Sequence, residues 1–299
     1  MLSQDDLERP RSLKVVERSE HEGDLKTHDP EDDPEQRKTF TNRGDEYSPF
    51  SIDVSMITCV HGVLGSDDPT AASLIVLQFE ILSGDGYVVK GVKTSMRFEI
   101  KGVKPAKMPS VEAYAPCIQR KYHETTEDVN KKKGWEAGGG ADVAPAKLDA
   151  KYNQETEVGH TQVYFEKLEA QRQHIDKTDV YDKVWWRLSQ NKNQNTGTTV
   201  AFQTAILLTR TDKTSKFLGH FAIDIDGGPG YNLGQKLDKW LGKAVVDDPV
   251  TFNPAKAPFG VGNLAIVVES DKLGDYRQGK ALDKRLGRVW GVDWTEWSK

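Results

Sequence analysis

The sequence predicts a mainly β protein: an antiparallel β-sandwich with a disordered N-terminal tail and a short mixed α/β C-terminal segment. Three observations predict it. Apolar and polar residues alternate at period two in several short runs, the pattern of half-buried strands. Those runs are separated by stretches rich in glycine, proline and asparagine. Good amphipathic helical patterns are few.

Taken in order, Phe50, Ile52, Val54 and Met56 alternate with Ser51, Asp53, Ser55 and Ile57 and predict the first strand; residues 61–69 then read as a loop. Residues 74–82 are β-rich and apolar on both sides at first. Gly84-Asp85-Gly86 is a turn whose glycines permit positive φ, so residues 73–82 are expected to pair with 87–100 as a hairpin. A further strand is expected near 111–118, and the charged stretch 124–133 reads as a loop or a short helix. Strands follow over 161–168 and 180–188, then an exposed Asn/Gln-rich hairpin loop over 189–197, then strands over 198–209 and 217–225. Beyond Gly230 the texture changes. Leu233, Leu237, Trp240 and Leu241 fall at i, i+4, i+7 and i+8, an amphipathic helix of about three turns. Residues 264–268 read as a strand, and Leu282, Leu286, Val289 and Trp290 fit a terminal helix. The expected organisation is an acidic leader (1–48), a β-sandwich body (49–226) with a Gly-rich hairpin near 134–152, and a segment (227–299) that packs on the body.

Charge supports that division. The chain has 299 residues and a net charge of −5. Residues 1–48 hold fourteen acidic and eight basic side chains, a net of −6, which leaves the rest at +1. The leader also has few large apolar residues to offset an ordering cost of roughly 1–2 kcal/mol per residue, so disorder is expected. A nearly neutral body argues against a nucleic-acid surface. No apolar run approaches a helical membrane span, the first residues lack the basic and apolar regions of a secretory signal, and Cys59 and Cys117 are the only cysteines. A cytoplasmic protein with reduced thiols is expected.

Motifs for chemistry are near-misses. Gly274 to Ala281 has the spacing of a phosphate-binding loop, but Ala281 stands where magnesium needs a hydroxyl, and Asp275 would face the phosphates. Asp224-Ile225-Asp226-Gly227-Gly228 resembles the start of a calcium loop, but Gly228 and Gln235 occupy two ligand positions. The histidines form no H-E-x-x-H pair and the cysteines no C-x-x-C. His123, His160 and His174 are candidate bases only if the fold sets a carboxylate beside them in a cleft. No catalytic residue, metal ligand or cofactor is assigned.

The tryptophans are the candidate partner-binding residues: Trp185, Trp186, Trp290, Trp294 and Trp297. Adjacent in a strand, Trp185 and Trp186 must point to opposite faces. The C-terminal three are expected to dock onto the sandwich. In the Gly-rich stretch, small residues alternate and resume as Ala146, Leu148, Ala150 and Tyr152, a pattern that admits a hairpin able to enter a membrane barrel. Glu136, Asp142, Lys147, Asp149 and Lys151 intervene, so a Gly-rich hairpin on the sandwich is the simpler expectation.

Three stretches, 184–191 (VWWRLSQN) with Gly197, 205–210 (AILLTR) and 247–254 (DDPVTFNP), together resemble a group of uncharacterised filamentous-fungal proteins. The resemblance implies a fungal, intracellular origin and a β-rich fold, and no activity. The leading functional expectation is a non-catalytic, intracellular binding or protein-interaction protein of unknown ligand. A membrane-active, pore-forming-like β-protein using the Gly/Ala-rich hairpin is the alternative, and an enzyme whose acid/base site the sequence does not display is the third. A protein partner is expected, nucleic acid is not, and the oligomeric state is open.

Overall fold

The computed structural model describes residues 27, 29–30, 34–44, 48–117, 120–131, 158–174, 179–192, 197–198, 200–232, 247–260, 268–278, 282, 286 and 288–289. Twelve strands run β1 (Thr39–Arg43), β2 (Phe50–Val63), β3 (Ala71–Ser83), β4 (Gly91–Glu99), β5 (Ser110–Ala115), β6 (Arg120–Lys131), β7 (Val158–Gln173), β8 (Lys183–Ser189), β9 (Ala201–Arg210), β10 (Phe217–Asp226), β11 (Val250–Phe252) and β12 (Arg288–Val289). They form two antiparallel sheets. The first has the order β1-β2-β3-β9-β12, with β5 also on β9; the second has the order β11-β10-β4-β8-β7-β6.

The predicted sandwich is present, and its core follows the alternation. Ile52, Val54 and Met56 of β2 and Phe79 and Ile81 of β3 face Met96, Phe98, Trp186, Leu188, Phe217 and Phe252 across the interface. Phe79 stacks on Phe202 within the first sheet at a centroid distance of 4.2 Å, and Phe217 stacks on Phe252 in the second at 4.9 Å. Each such ring removed from water contributes about 1.5–3 kcal/mol.

Residues 71–77 of β3 are buried on both faces, and so is most of β9. A second apolar cluster explains this. Val60, Leu74, Val76, Ala205 and Leu207 turn away from the sandwich interior and meet Val268, Leu273, Tyr276, Leu282 and Leu286. The described residues 268–276, 282 and 286 of the C-terminal segment thus form a third layer. Its backbone is fastened too: the Val63 amide donates to the Ser270 carbonyl at 2.8 Å and the Gln203 side chain donates to the Leu286 carbonyl at 2.7 Å.

Several expectations are corrected. The 73–82 and 87–100 runs are not a hairpin: β3 pairs with β2 and β9, whereas β4 pairs with β8 and β10 in the other sheet. The Gly84–Gly86 turn therefore crosses between layers. The charged stretch 124–133 belongs largely to strand β6, because pairing with β7 satisfies its backbone whatever its side chains prefer. The 189–197 connection also crosses between sheets, and its Asn191 is fully buried. Val289 lies in β12, paired with Phe202, rather than in a terminal helix, although a helical bond from the Leu286 amide to the Leu282 carbonyl precedes it. The expected leader does not extend to residue 48. Gln36 and Arg37 are buried, and β1 pairs with β2. Residues 1–26, the 233–241 helix, most of the 264–268 strand and the 134–152 hairpin lie outside the described residues.

Gly260, after β11, packs directly against the backbone of β2. It has φ +72°, and a Cβ there would sit 1.8 Å from the Ile57 carbonyl oxygen. Gly260→Ala is expected to lower unfolding free energy by more than ~2 kcal/mol, the combined cost of left-handed backbone and backbone displacement, as read by urea unfolding. An unchanged midpoint would contradict the close approach.

Candidate functional site

The end of the second sheet where β8 finishes carries the most unusual geometry. β8 pairs with β7 only from Lys183↔Gln173 to Ser189↔Lys167. β7 begins nine residues earlier, at Val158, and in that part its strand partner is β6, paired from Arg120↔Leu168 to Lys131↔Val158 with a register shift between Tyr122 and Thr125. At about 3.3 Å per residue, the β6–β7 ribbon continues roughly 30 Å past the last β8 pair. Neither outer edge of that two-stranded stretch has a strand partner among the described residues. Exposed ribbon edges of this length are uncommon in stable proteins, because they offer a template for pairing with another chain.

A cleft of about 500 Å³ lies at the base of the ribbon. In register, Asp226, Gly91 and Ser189 form a row across β10, β4 and β8, and Lys167 of β7 extends it. Gly91 and Ser189 are small, which makes a floor; a Cβ on Gly91 would come to 3.1 Å from the Leu188 carbonyl. The next outward-facing row is Asp224, Lys93, Arg187 and Glu169. Lys90, Lys93, Arg187 and Lys192 all line the cleft, with Asp224 and Asp226 as its carboxylates. Asp226 Oδ1 accepts from the Gly228 amide at 3.0 Å and the Asn232 amide group at 2.7 Å. Glu169 reaches Arg187 at 3.6 Å and Lys167 at 2.5 Å. The cleft is therefore rich in cations.

The tryptophan pair separates as strand geometry demands. Trp186 is 1% exposed in the core, and its indole donates to the Pro116 carbonyl at 3.1 Å. That burial withdraws it from any surface contact. Trp185 is on the opposite, outer face, half-buried, with the Arg187 guanidinium 5.7 Å from its ring. Trp290, Trp294 and Trp297 lie outside the described residues. Leu82 is the one large hydrophobic residue that is strongly exposed among the described residues.

The densest polar cluster is inside the sandwich, and the sequence analysis passed over it. Cys59 and His61 share a face of β2, and the His61 Nε2 lies 3.4 Å from the Cys59 sulfur. Gln36 Nε2 approaches both, at 3.3 Å from the sulfur and 2.7 Å from the imidazole, while Nδ1 meets Ser73 Oγ at 2.8 Å. Gln36 thus occupies Nε2 as a donor, which places the ring proton on Nδ1. Burial pushes the Cys59 thiol up to about 12 and, with help from the Arg210 charge, pushes His61 down to about 4. A neutral base beside an un-ionised, fully buried thiol is the reverse of an activated nucleophile. The cluster is a satisfied core network. The Cys-x-His spacing was its only signal.

Other motifs resolve into structural roles. Gly274, the first residue of the phosphate-loop-like spacing, sits in a 3-10 turn, where its amide donates to the Leu64 carbonyl at 2.6 Å, and residues 279–281 of that spacing lie outside the described residues. His174 Nδ1 lies 3.0 Å from the Val180 carbonyl, and its ring stacks 3.8 Å from Tyr181. No group of metal-ligating side chains occurs among the described residues.

No protein-family description and no curated protein matches the sequence. Among solved structures, the Clostridium perfringens NetB toxin in its membrane-inserted form is similar over 62% of this chain and 76% of that one, at 10% identity and a TM-score of 0.21. A likeness that slight carries no argument about this chain.

Proposed function

We propose that the chain is a membrane-active β-protein whose β6–β7 ribbon, with the segment joining its strands, enters a lipid bilayer. The observation that carries this reading is the ribbon: two strands continuing well past their sheet, with no strand partner at either outer edge among the described residues. Water tolerates such edges, but hydrocarbon does not, because each unpaired backbone group there costs several kcal/mol. A ribbon of this kind becomes stable in lipid only when copies join edge to edge into a closed barrel. The joining segment has the matching composition. Ala137, Gly139, Ala141 and Val143, then Ala146, Leu148, Ala150 and Tyr152, recur at every second position, with Glu136, Asp142, Lys147, Asp149 and Lys151 between them. As strands these positions would set a lipid-compatible face against a polar lumen face. That no helix among the described residues is long and apolar enough to cross a membrane has no bearing on strand-built spans.

Dye release from lipid vesicles tests the reading. Wild-type protein is expected to release dye. A variant with residues 134–152 replaced by a Gly/Ser linker is expected to keep its thermal unfolding transition and lose release by at least about tenfold, since apolar transfer of the segment supplies the insertion energy. Wild-type protein that releases nothing from any lipid mixture, with or without residues 1–26, overturns it.

A further inference from the structure

We propose that the cleft at the ribbon base is a binding site for the phosphoryl headgroup of an anionic membrane lipid. The proposal rests on the membrane-active reading for the source of the ligand, but the cleft's chemistry stands apart from it. Four cations from two segments distant in sequence converge on one floor: Lys90 and Lys93 flank β4's first residues, while Arg187 comes from β8 and Lys192 follows it. Two of the three nearby carboxylates have hydrogen-bond or ion-pair partners, and the third lies across from a lysine. Asp226 holds the Gly228 amide and Asn232, Asp224 lies opposite Lys93 on the adjacent strand, and Glu169 is shared between Lys167 and Arg187. Among the described residues lining the cleft, four cations face two carboxylates, a local balance of +2, although the whole chain is at −5. Arg187 offers a planar donor fork suited to phosphate oxygens, and the lysines supply point charges around it. The floor is made by a glycine and a serine, so a phosphoryl group can reach it without displacing a side chain.

Location selects the source. The cleft opens at the same end of the second sheet from which the ribbon continues. A headgroup held there would place the ribbon against the bilayer surface. The net charge favours an anionic headgroup over a zwitterionic one.

Co-sedimentation with phosphatidylcholine vesicles, with and without phosphatidic acid, provides the test. The 299-residue chain is expected to bind the vesicles containing phosphatidic acid at least about tenfold more tightly, and glycerol phosphate in excess is expected to compete. The variant Lys93→Gln/Arg187→Gln/Lys192→Gln is expected to lose that preference. The exposed Lys101→Gln/Lys213→Gln/Lys216→Gln variant removes the same charge at the other end of the sheet and is expected to keep most of it. All the substituted side chains lie at the surface, and an unfolding transition for each variant confirms the fold. Equal loss in both variants, or no loss in the cleft variant, overturns the proposal. So does binding of glycerol phosphate without any preference for phosphatidic acid vesicles. Vesicle leakage measured alongside separates the two readings. Leakage with an unchanged cleft variant removes the headgroup site alone. Cleft-dependent vesicle binding with no leakage from any mixture removes the insertion reading alone.

Discussion

Trp186→Ala is expected to lower the unfolding free energy by about 3–5 kcal/mol, whereas Trp185→Ala is expected to cost less than about 1 kcal/mol. The residues are adjacent and chemically identical, so the contrast isolates the face each occupies. Trp186 fills the interior with 1% exposure, packs edge-on against Tyr114 at 6.4 Å and donates its indole proton to Pro116. Truncation removes its transfer energy, opens a cavity between the sheets and strands a buried carbonyl. Trp185 lies on the outer face and loses little by truncation. Urea unfolding at constant m-value checks this; a larger loss for Trp185→Ala than for Trp186→Ala would mean that the strand presents the opposite faces.

Acid is expected to destabilise the fold through His61. Its folded pKa of about 4 lies below the ordinary value of 6.5. Between those values the unfolded chain binds a proton that the folded chain refuses, so stability falls as pH falls. The contribution from this site is about 2 kcal/mol lost between pH 7 and pH 5. His61→Gln keeps an amide able to meet Ser73 and Gln36 while removing the titration. Its unfolding free energy is expected to vary less with pH over that interval than that of the wild type, by about the same 2 kcal/mol. Parallel pH profiles for the two proteins would rule out His61 as the titrating group. The carboxylates point the same way at lower pH. Hydrogen bonds from the Thr214 amide and the Ser215 and Thr214 hydroxyls hold Asp212 well below the usual range, and bonds from Lys216 and Asn253 lower Glu35.

Strand identity was legible wherever burial was one-sided. The alternation from Phe50 to Met56 reports directly which side chains face the opposite sheet, and β2 obeys it. Pairing was not legible, because hydrogen bonding between strands is indifferent to the order in which they occur. The glycine turn after β3 looks the same whether the chain doubles back or crosses to the other layer. β6 was hidden for a different reason: its residues are charged, and its strand conformation depends on the partner that β7 supplies. The cleft was invisible for the same non-local reason. Lys90 and Arg187 lie nearly a hundred positions apart, and only the register of β4 with β8 brings their segments together. The Gly/Ala alternation of 134–152 is legible in the sequence alone, and its stretch lies outside the described residues.

The third layer over β3 and β9 has a consequence for anyone shortening this chain. A version ending after Gly260 would lose Leu273, Tyr276, Leu282 and Leu286, and leave Leu74, Val76 and Leu207 facing water. Such a fragment would keep every strand of the sandwich except β12, yet expose a greasy wall and precipitate. Minimal versions of the molecule are therefore better sought by trimming its beginning than its end.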